Sequence, residues 1–192
     1  MDIIIVILFS YLSGSIPFGL ILTRFFGGQD VRKIGSGNIG ATNVLRTGNK
    51  YLAATTLILD ILKGYAPVVV TQNYFPEYIE LSALLAFLGH VFPFWLKFKG
   101  GKGVATYIGI LFSINIMFGF MFVATWLVVY FIFRYSSLSS LVASLNVPIY
   151  LLFFLSEQNI IYFLIMFVLI FYTHRENIKR LINKEESKTK IY

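Results

Sequence analysis

GVATYIGILFSINIMFGFMFVATWLVVYFIF, residues 103–133, runs for 31 residues without an Asp, Glu, Lys, Arg or His. A helix needs about 20 such residues to cross a bilayer. The stretch is too long for one crossing and short for two. A break near residues 113–115, where Ser113 and Asn115 interrupt the apolar run, divides it into a stubby span and a normal one. The rest of the chain agrees. It has 192 residues, 57% hydrophobic and 13% charged, and its mean hydropathy is +0.77. A soluble domain carries about 25% charged residues, so too few charges are present to cover a water-facing surface. An ordinary soluble domain and a disordered chain are both excluded. With no cysteine, disulfides, thiolate catalysis and cysteine metal sites are excluded too.

Working outward, the hydropathy pattern predicts further spans at 1–22, 51–70, 81–98, 141–155 and 160–173, making seven with the two halves of 103–133. The first is not read as a signal peptide: Asp2 is its only charge, it has no basic leader and no A-x-A site follows. Pro17 within it predicts a bend. The charges orient the spans. With the N-terminus outside, the inside segments are 23–50, 97–102, 134–140 and 174–192, and they hold 15 of the 16 Lys and Arg residues, all but Lys63. The outside segments hold Asp2, Glu77, Glu80 and Glu157 and no base. The net charge of +7 therefore reads as membrane flanking, and no nucleic-acid partner is expected. The expected fold is an all-α integral membrane protein of seven transmembrane helices, N-terminus outside and C-terminus cytoplasmic. It forms one polytopic domain over 1–192.

Three inside-facing segments concentrate the unusual residues. The first, GSGNIGATNVLR at 35–46, has glycines at 35, 37 and 40 in the G-x-G-x-x-G spacing. A dinucleotide fingerprint needs a βαβ unit, and here the acid twenty residues on, Asp60, lies in a span. What survives is the physics of the glycines, which let backbone N–H groups approach an anion. Ser36, Asn38, Thr42 and Asn43 add side-chain donors, and Arg46 adds a fork suited to phosphate. The alternative is a flexible loop rich in turn formers. The second segment, GHVFPFWLKFKGGKGVAT at 89–106, leads from Gly100-Gly101-Lys102-Gly103 straight into a span. It is another anion cradle, although its spacing is not that of a Walker A loop. Lys97 and Lys99 read as snorkelling anchors; Lys102, between glycines, reads as functional. The third, HRENIKR at 174–180, leaves the last span. If it is helical, His174 and Asn177 share a face at i, i+3, while Lys179, Lys184, Lys188 and Lys190 read as a polybasic membrane-surface tail.

Asp60 and Lys63 form an intramembrane pair at i, i+3. Mutual neutralisation, a proton or ion path, and support of the basic site are all open readings. His90 reads as a structural residue or as a donor to a site residue, not as a ligand. Two histidines and no cysteine argue against zinc, and no metal or cofactor is expected. Two glycine-rich anion cradles and several inside-facing bases among spans call for a substrate with phosphate groups and an acyl chain. No Ser-His-Asp triad and no H-x-x-x-x-D pattern can be assembled.

These three segments, with DILKG at 60–64 and YLSGSIP at 11–17, resemble the motifs of the bacterial acyl-phosphate:glycerol-3-phosphate acyltransferases, the PlsY-type family. The resemblance spans nearly the whole chain. It departs in the third motif, where Lys184 stands in a place the family tends to give to Gly. It implies acyl transfer from a fatty acyl phosphate to glycerol 3-phosphate, giving 1-acyl-glycerol 3-phosphate (lysophosphatidic acid) and phosphate, the first step of phospholipid synthesis. It implies a bacterial inner-membrane location with the site facing the cytoplasm. Another enzyme, a candidate soluble partner, has to make the acyl phosphate. A mixed anhydride has a good leaving group, so no covalent acyl-enzyme is needed. Proximity and oxyanion stabilisation suffice. In this reading Ser36, Lys102, His174 and Asn177 are the catalytic residues and, with Arg46, orient glycerol 3-phosphate. Asn38, Gly40, Ala41 and Thr42, with Gly101 and Gly103, hold the acyl phosphate, and Asn43 and Thr106 are further substrate-binding residues. Either His174 or the donor's own phosphate takes the proton. A transporter of anionic phosphate esters is the rival, weakened by the absence of an internal repeat.

Overall fold

The computed structural model describes residues 1–154 and 160–188. The described residues are helical, with no strand among them. Two compact units divide the chain at residues 114 and 115. Five helical stretches are long and apolar enough to cross a membrane: Asp2–Gly27, Lys50–Tyr74, Pro76–Leu96, Ile116–Phe133 and Ser136–Phe153. A sixth is the bent pair Ile160–Thr173 and Arg175–Ile182, and one apolar helix, Val104–Ile114, is shorter.

The first unit opens with α1 (Asp2–Gly14) and α2 (Phe18–Gly27), which interrupt one span at residues 15–17. Pro17 cannot donate a backbone bond, so the interruption falls where the sequence predicts the bend. A four-residue α3 (Ala41–Val44) lies in the polar stretch that follows. Then come α4 (Lys50–Tyr74), α5 (Ile79–Val91) and α6 (Val104–Ile114). Asn49 caps α4, its Oδ1 accepting from the Leu52 N–H at 3.1 Å.

Small residues set the helix crossings. Gly14 of α1 lies against the Ala86 backbone of α5, and Gly89 lies against the Tyr11 carbonyl. Nearby, the Ser10 and Ser82 hydroxyls bond at 2.8 Å. Gly64 of α4 meets Thr106 of α6, and Gly109 of α6 meets the Ile61 carbonyl. Any side chain at these glycines would force the backbones apart.

In the second unit, α7 (Ile116–Phe133) starts at Asn115, whose Oδ1 accepts from the Met117 N–H at 2.9 Å. The break in 103–133 therefore has a capping residue behind it. Helix α8 (Ser136–Ser144) takes up most of 134–140, the Ser-rich inside segment that the sequence suggests as a short turn between spans. Serines are poor helix formers in water. Here Ser139 and Ser140 donate to the Tyr135 and Ser136 carbonyls at 2.8 and 2.9 Å, and Trp126 Nε1 donates to Ser140 Oγ at 3.1 Å. Helix α9 (Asn146–Phe154) follows; Asn146 Nδ2 donates to Thr125 Oγ1 at 2.5 Å and the Met121 carbonyl at 3.1 Å. Next are α10 (Ile160–Thr173) and α11 (Arg175–Ile182), bent by 57° at His174. The outside acid Glu157 and the tail base Lys190 lie outside the described residues.

Lys184 adopts φ 60°, the left-handed region that glycine occupies without cost. The turn is the physical reason for a glycine in this place, and it brings the N–H groups of Glu185 and Glu186 to the Arg180 carbonyl at 2.8 and 3.2 Å. Replacing Lys184 with Gly is expected to relieve the strain and stabilise the protein by about 1 kcal/mol. A rise in thermal midpoint in detergent checks this; a fall would show that the lysine side chain matters more than its backbone.

Candidate active site

A cleft of about 520 Å³ opens in the first unit, lined by Arg32, Ser36, Asn38, Trp95, Lys97 and Lys99, with Gly37 and Gly100 in its backbone walls. The two glycine-rich segments thus face one space. Their residues are held by different means.

The 31–44 segment is pinned by apolar pegs: Val31, Ile39 and Val44 are buried in one cluster with Leu20 of α2 and Ala53 of α4. Its polar turn is organised by Asn43. The buried amide nitrogen of Asn43 lies 2.9, 3.0 and 2.8 Å from the carbonyls of Val31, Ile34 and Asn38, and its Oδ1 accepts from the Ser36 N–H at 3.0 Å. Arg46 Nη1 reaches the same oxygen at 3.4 Å and packs over Gly35. Asn43 therefore shapes the loop instead of presenting its amide to a ligand. The Gly40 N–H donates to Asn38 Oδ1 at 2.9 Å, so it also serves the turn. Ala41 and Thr42 begin α3, with Thr42 exposed. At the start of the segment, Arg32 makes a two-pronged pair with Asp30, at 3.0 and 2.7 Å. The side-chain hydrogen bond from Arg32 holds the Asp30 carboxyl well below the usual carboxylate range and raises the guanidinium.

The 91–103 segment doubles back at Lys97 and Phe98, both left-handed at φ 53° and 60°. Neither is a glycine, and strain of this kind, about 1–3 kcal/mol per residue, persists only where the surroundings enforce it. The Phe98 N–H donates to the Pro93 carbonyl at 3.0 Å. The N–H groups of Gly100 and Gly101 donate to the Val91 and His90 carbonyls, each at 3.1 Å. The Gly101 N–H expected to bind an anion is thus committed to the loop. Gly103, at φ 87°, packs on the Phe87 ring, and Lys102 between these glycines is half-buried. Thr106 is buried in the α4–α6 contact and does not line the cleft. Lys97 and Lys99, read from the sequence as anchors, do line it, as do Arg32 and Trp95, which sequence reasoning passed over. The available signal was the density of bases beside turn formers on both loops.

The second unit presents His174 and Asn177, both buried. The helix considered for 174–180 is found as α11; His174 is its N-cap, at the bend after α10, and its carbonyl accepts from the Ile178 N–H at 2.9 Å. Its Nδ1 lies 2.8 Å from the Ile170 carbonyl. A carbonyl only accepts, so in the neutral ring Nδ1 carries the hydrogen and Nε2 the lone pair. Asn177 Nδ2 donates to Glu186 Oε1 at 2.7 Å, Ser137 Oγ donates to the same oxygen at 2.7 Å, and Arg180 Nε donates to Oε2 at 2.7 Å. Partial burial raises the Glu186 pKa, but these three hydrogen bonds outweigh it and hold the carboxyl below its ordinary value.

The glycerol-3-phosphate acyltransferase family model matches residues 4–184. The chain belongs to that family. A relative named glycerol-3-phosphate acyltransferase from Pelagibacter ubique (strain HTCC1062) is 65% identical over 192 residues, covering 100% of both chains. A relative of the same name from Mesorhizobium japonicum is 54% identical over 186 residues, 97% of this chain and 95% of its own. Among solved structures, the crystal structure of PlsY (YgiH), an integral membrane glycerol 3-phosphate acyltransferase in its glycerol 3-phosphate form, matches with a TM-score of 0.93 at 34% identity, covering 98% of this chain and 96% of that one. Its lysophosphatidic acid form matches with a TM-score of 0.89 at 33% identity, covering 98% and 95%. The protein is thus an all-α integral membrane protein of the PlsY type.

Two outcomes follow from the geometry. Asn43→Asp keeps the size of the side chain but turns the amide donors into an acceptor facing three carbonyls, so hydrogen exchange across 31–46 should accelerate while α4 stays protected. Exchange unchanged from wild type would show that the apolar pegs alone hold the loop. Because the Glu186 pKa is lowered by folding, its contribution to stability is complete above the ordinary glutamate value and is lost as pH falls through the lowered one. The thermal midpoint of Glu186→Gln should therefore lie below wild type at pH 7, and the gap should close on acidification. A gap that stays constant down to pH 3 would contradict this.

Proposed function

We propose that the protein is a glycerol-3-phosphate acyltransferase that uses a fatty acyl phosphate as donor. The observation that carries this reading is the cleft in which Ser36 and Asn38 share walls with the cations Arg32, Lys97 and Lys99. Such a space suits a phosphate ester and not a neutral acceptor. Family membership supplies the acceptor, and the chemistry of the available groups favours the donor. A hydroxyl of glycerol 3-phosphate attacks the acyl carbonyl carbon, the bond from that carbon to the phosphate oxygen breaks, and inorganic phosphate leaves. No nucleophile of the protein takes part, so no acyl-enzyme forms.

In this proposal His174 accepts the proton at Nε2, the tautomer that its bond to Ile170 enforces. Ser36, Arg46, Lys102 and Asn177 orient the acceptor. Asn38, Gly103, Ala41 and Thr42 hold the donor's phosphate. Asn43, Gly40, Gly101 and Thr106 keep the loops in shape, and Lys97 and Lys99 draw the dianionic acceptor toward the cleft. The seven crossings, the outside N-terminus and a cytoplasm-facing site in the bacterial inner membrane belong to the same proposal, supported by the one-sided distribution of bases.

The deciding experiment incubates purified, detergent-solubilised protein with glycerol 3-phosphate and palmitoyl phosphate, with palmitoyl-CoA in parallel, and follows phosphate release and lysophosphatidic acid. Product from the acyl phosphate alone is expected. Product from the CoA ester would keep the acceptor and overturn the donor; product from neither, in folded protein, would overturn both. His174→Ala should lower kcat by about 10²–10⁴-fold, the usual worth of a positioned base. Activity within a few-fold of wild type would move proton acceptance to the donor's phosphate.

A further inference from the structure

The first unit contains a buried polar cluster to which the chemistry above gives no part. Lys63 Nζ of α4 lies 2.7 Å from Asp60 Oδ1 and donates to the Ile16 carbonyl at 2.6 Å. Asp60 Oδ1 is 4.0 Å from Nδ1 of His90, on α5. All three side chains are buried, in helices long and apolar enough to span the membrane. His90 Nδ1 has no hydrogen-bond partner among the described residues. A buried polar ring with an unsatisfied nitrogen is costly, so its retention asks for a use.

The opposite edge of the ring supplies one. The Gly101 Cα lies directly against His90 Nε2, so closely that a methyl group on Gly101 would run into the imidazole. The same histidine's carbonyl accepts the Gly101 N–H at 3.1 Å. The loop is therefore seated on His90 twice, once through the backbone and once through the ring, immediately before Lys102. Gly100 is itself in the cleft wall. Among the polar and charged groups described here, Asp60 and Lys63 face the ring from α4 and Gly101 faces it from the loop.

We propose that His90 is a positioning residue: its imidazole, set against the Asp60–Lys63 pair, is the seat on which the Gly100-Gly101-Lys102-Gly103 loop is registered to the cleft. This rests on the proposed function for its readout. His90 touches no substrate; it acts through the loop. The glycine at 101 is required by the imidazole below it and not by an anion above it, since its N–H already has a partner.

The test is a size-exchange cycle measured in the acyltransferase assay with wild type alongside. Gly101→Ala should raise KM for glycerol 3-phosphate at least tenfold, because the added methyl lifts the loop that carries Lys102. His90→Ala should raise KM several-fold by leaving the loop unseated. In the double variant the alanine methyl at 101 occupies space vacated by the ring, and KM should return to within about threefold of wild type. Independent sites combine additively, so a double variant no better than the worse single one would overturn the proposal. The thermal midpoint of each variant is measured in parallel. Recovery of midpoint without recovery of KM would also overturn the proposal, because it would assign His90 to packing alone. Inactivity of the wild type would instead defeat the proposed function, which keeps the two failures distinct.

Discussion

A backbone carbonyl inside a membrane must find a donor within the protein. At residues 15–17 the first span breaks around Pro17, and two carbonyls leave the helical ladder. Lys63 donates to that of Ile16 at 2.6 Å and Trp95 Nε1 to that of Ser15 at 2.8 Å. The Tyr11 hydroxyl, one turn earlier, donates to the Phe92 carbonyl at 2.7 Å. These bonds tie α1, α4 and the 92–96 turn around one defect. Asp60 Oδ1 lies 2.7 Å from Lys63 Nζ and 4.0 Å from His90 Nδ1. A break in one helix has thereby recruited an ion pair, an indole and a histidine, and the cleft is built on the chain segments they secure.

This explains why the polar loops are ordered without a sheet or a disulfide. The 31–44 segment is fixed by buried valine and isoleucine side chains underneath and by one asparagine above. The 91–103 segment is fixed by backbone bonds to the end of α5 and by glycines pressed on aromatic and imidazole rings. The apolar pegs supply affinity between loop and helices; the hydrogen bonds supply a particular shape.

The membrane class, the bend at Pro17 and the break at 113–115 were legible in the sequence, because apolar run length, proline and polar interruptions are local signals; the helix ends were not, as α4 runs to Tyr74 and α8 starts at Ser136, beyond the spans read at 51–70 and 141–155. So was the grouping of chemistry into three segments. Direction within a segment was not legible. Asn43 and Asn38 are one residue type in one motif and both bond within the loop, yet only Asn38 also lines the cleft, and only the tertiary path separates them. Likewise Lys97 and Lys99 look like anchors in any linear reading. Two consecutive left-handed residues, which no local propensity announces, turn that stretch toward the cleft. Lys184 is the converse case: its position carried a signal, the missing glycine, and the turn was found there.

Helix α6 has 11 residues, so at 1.5 Å per residue it reaches about 16 Å, roughly half of a ~30 Å hydrocarbon core. A rod of that length does not cross a bilayer by itself. In the proposed seven-crossing topology the glycine loop before α6 makes up part of the missing depth. That topology would set the loop below the headgroups, so that an acylated product released beside it would enter the leaflet without a desorption step.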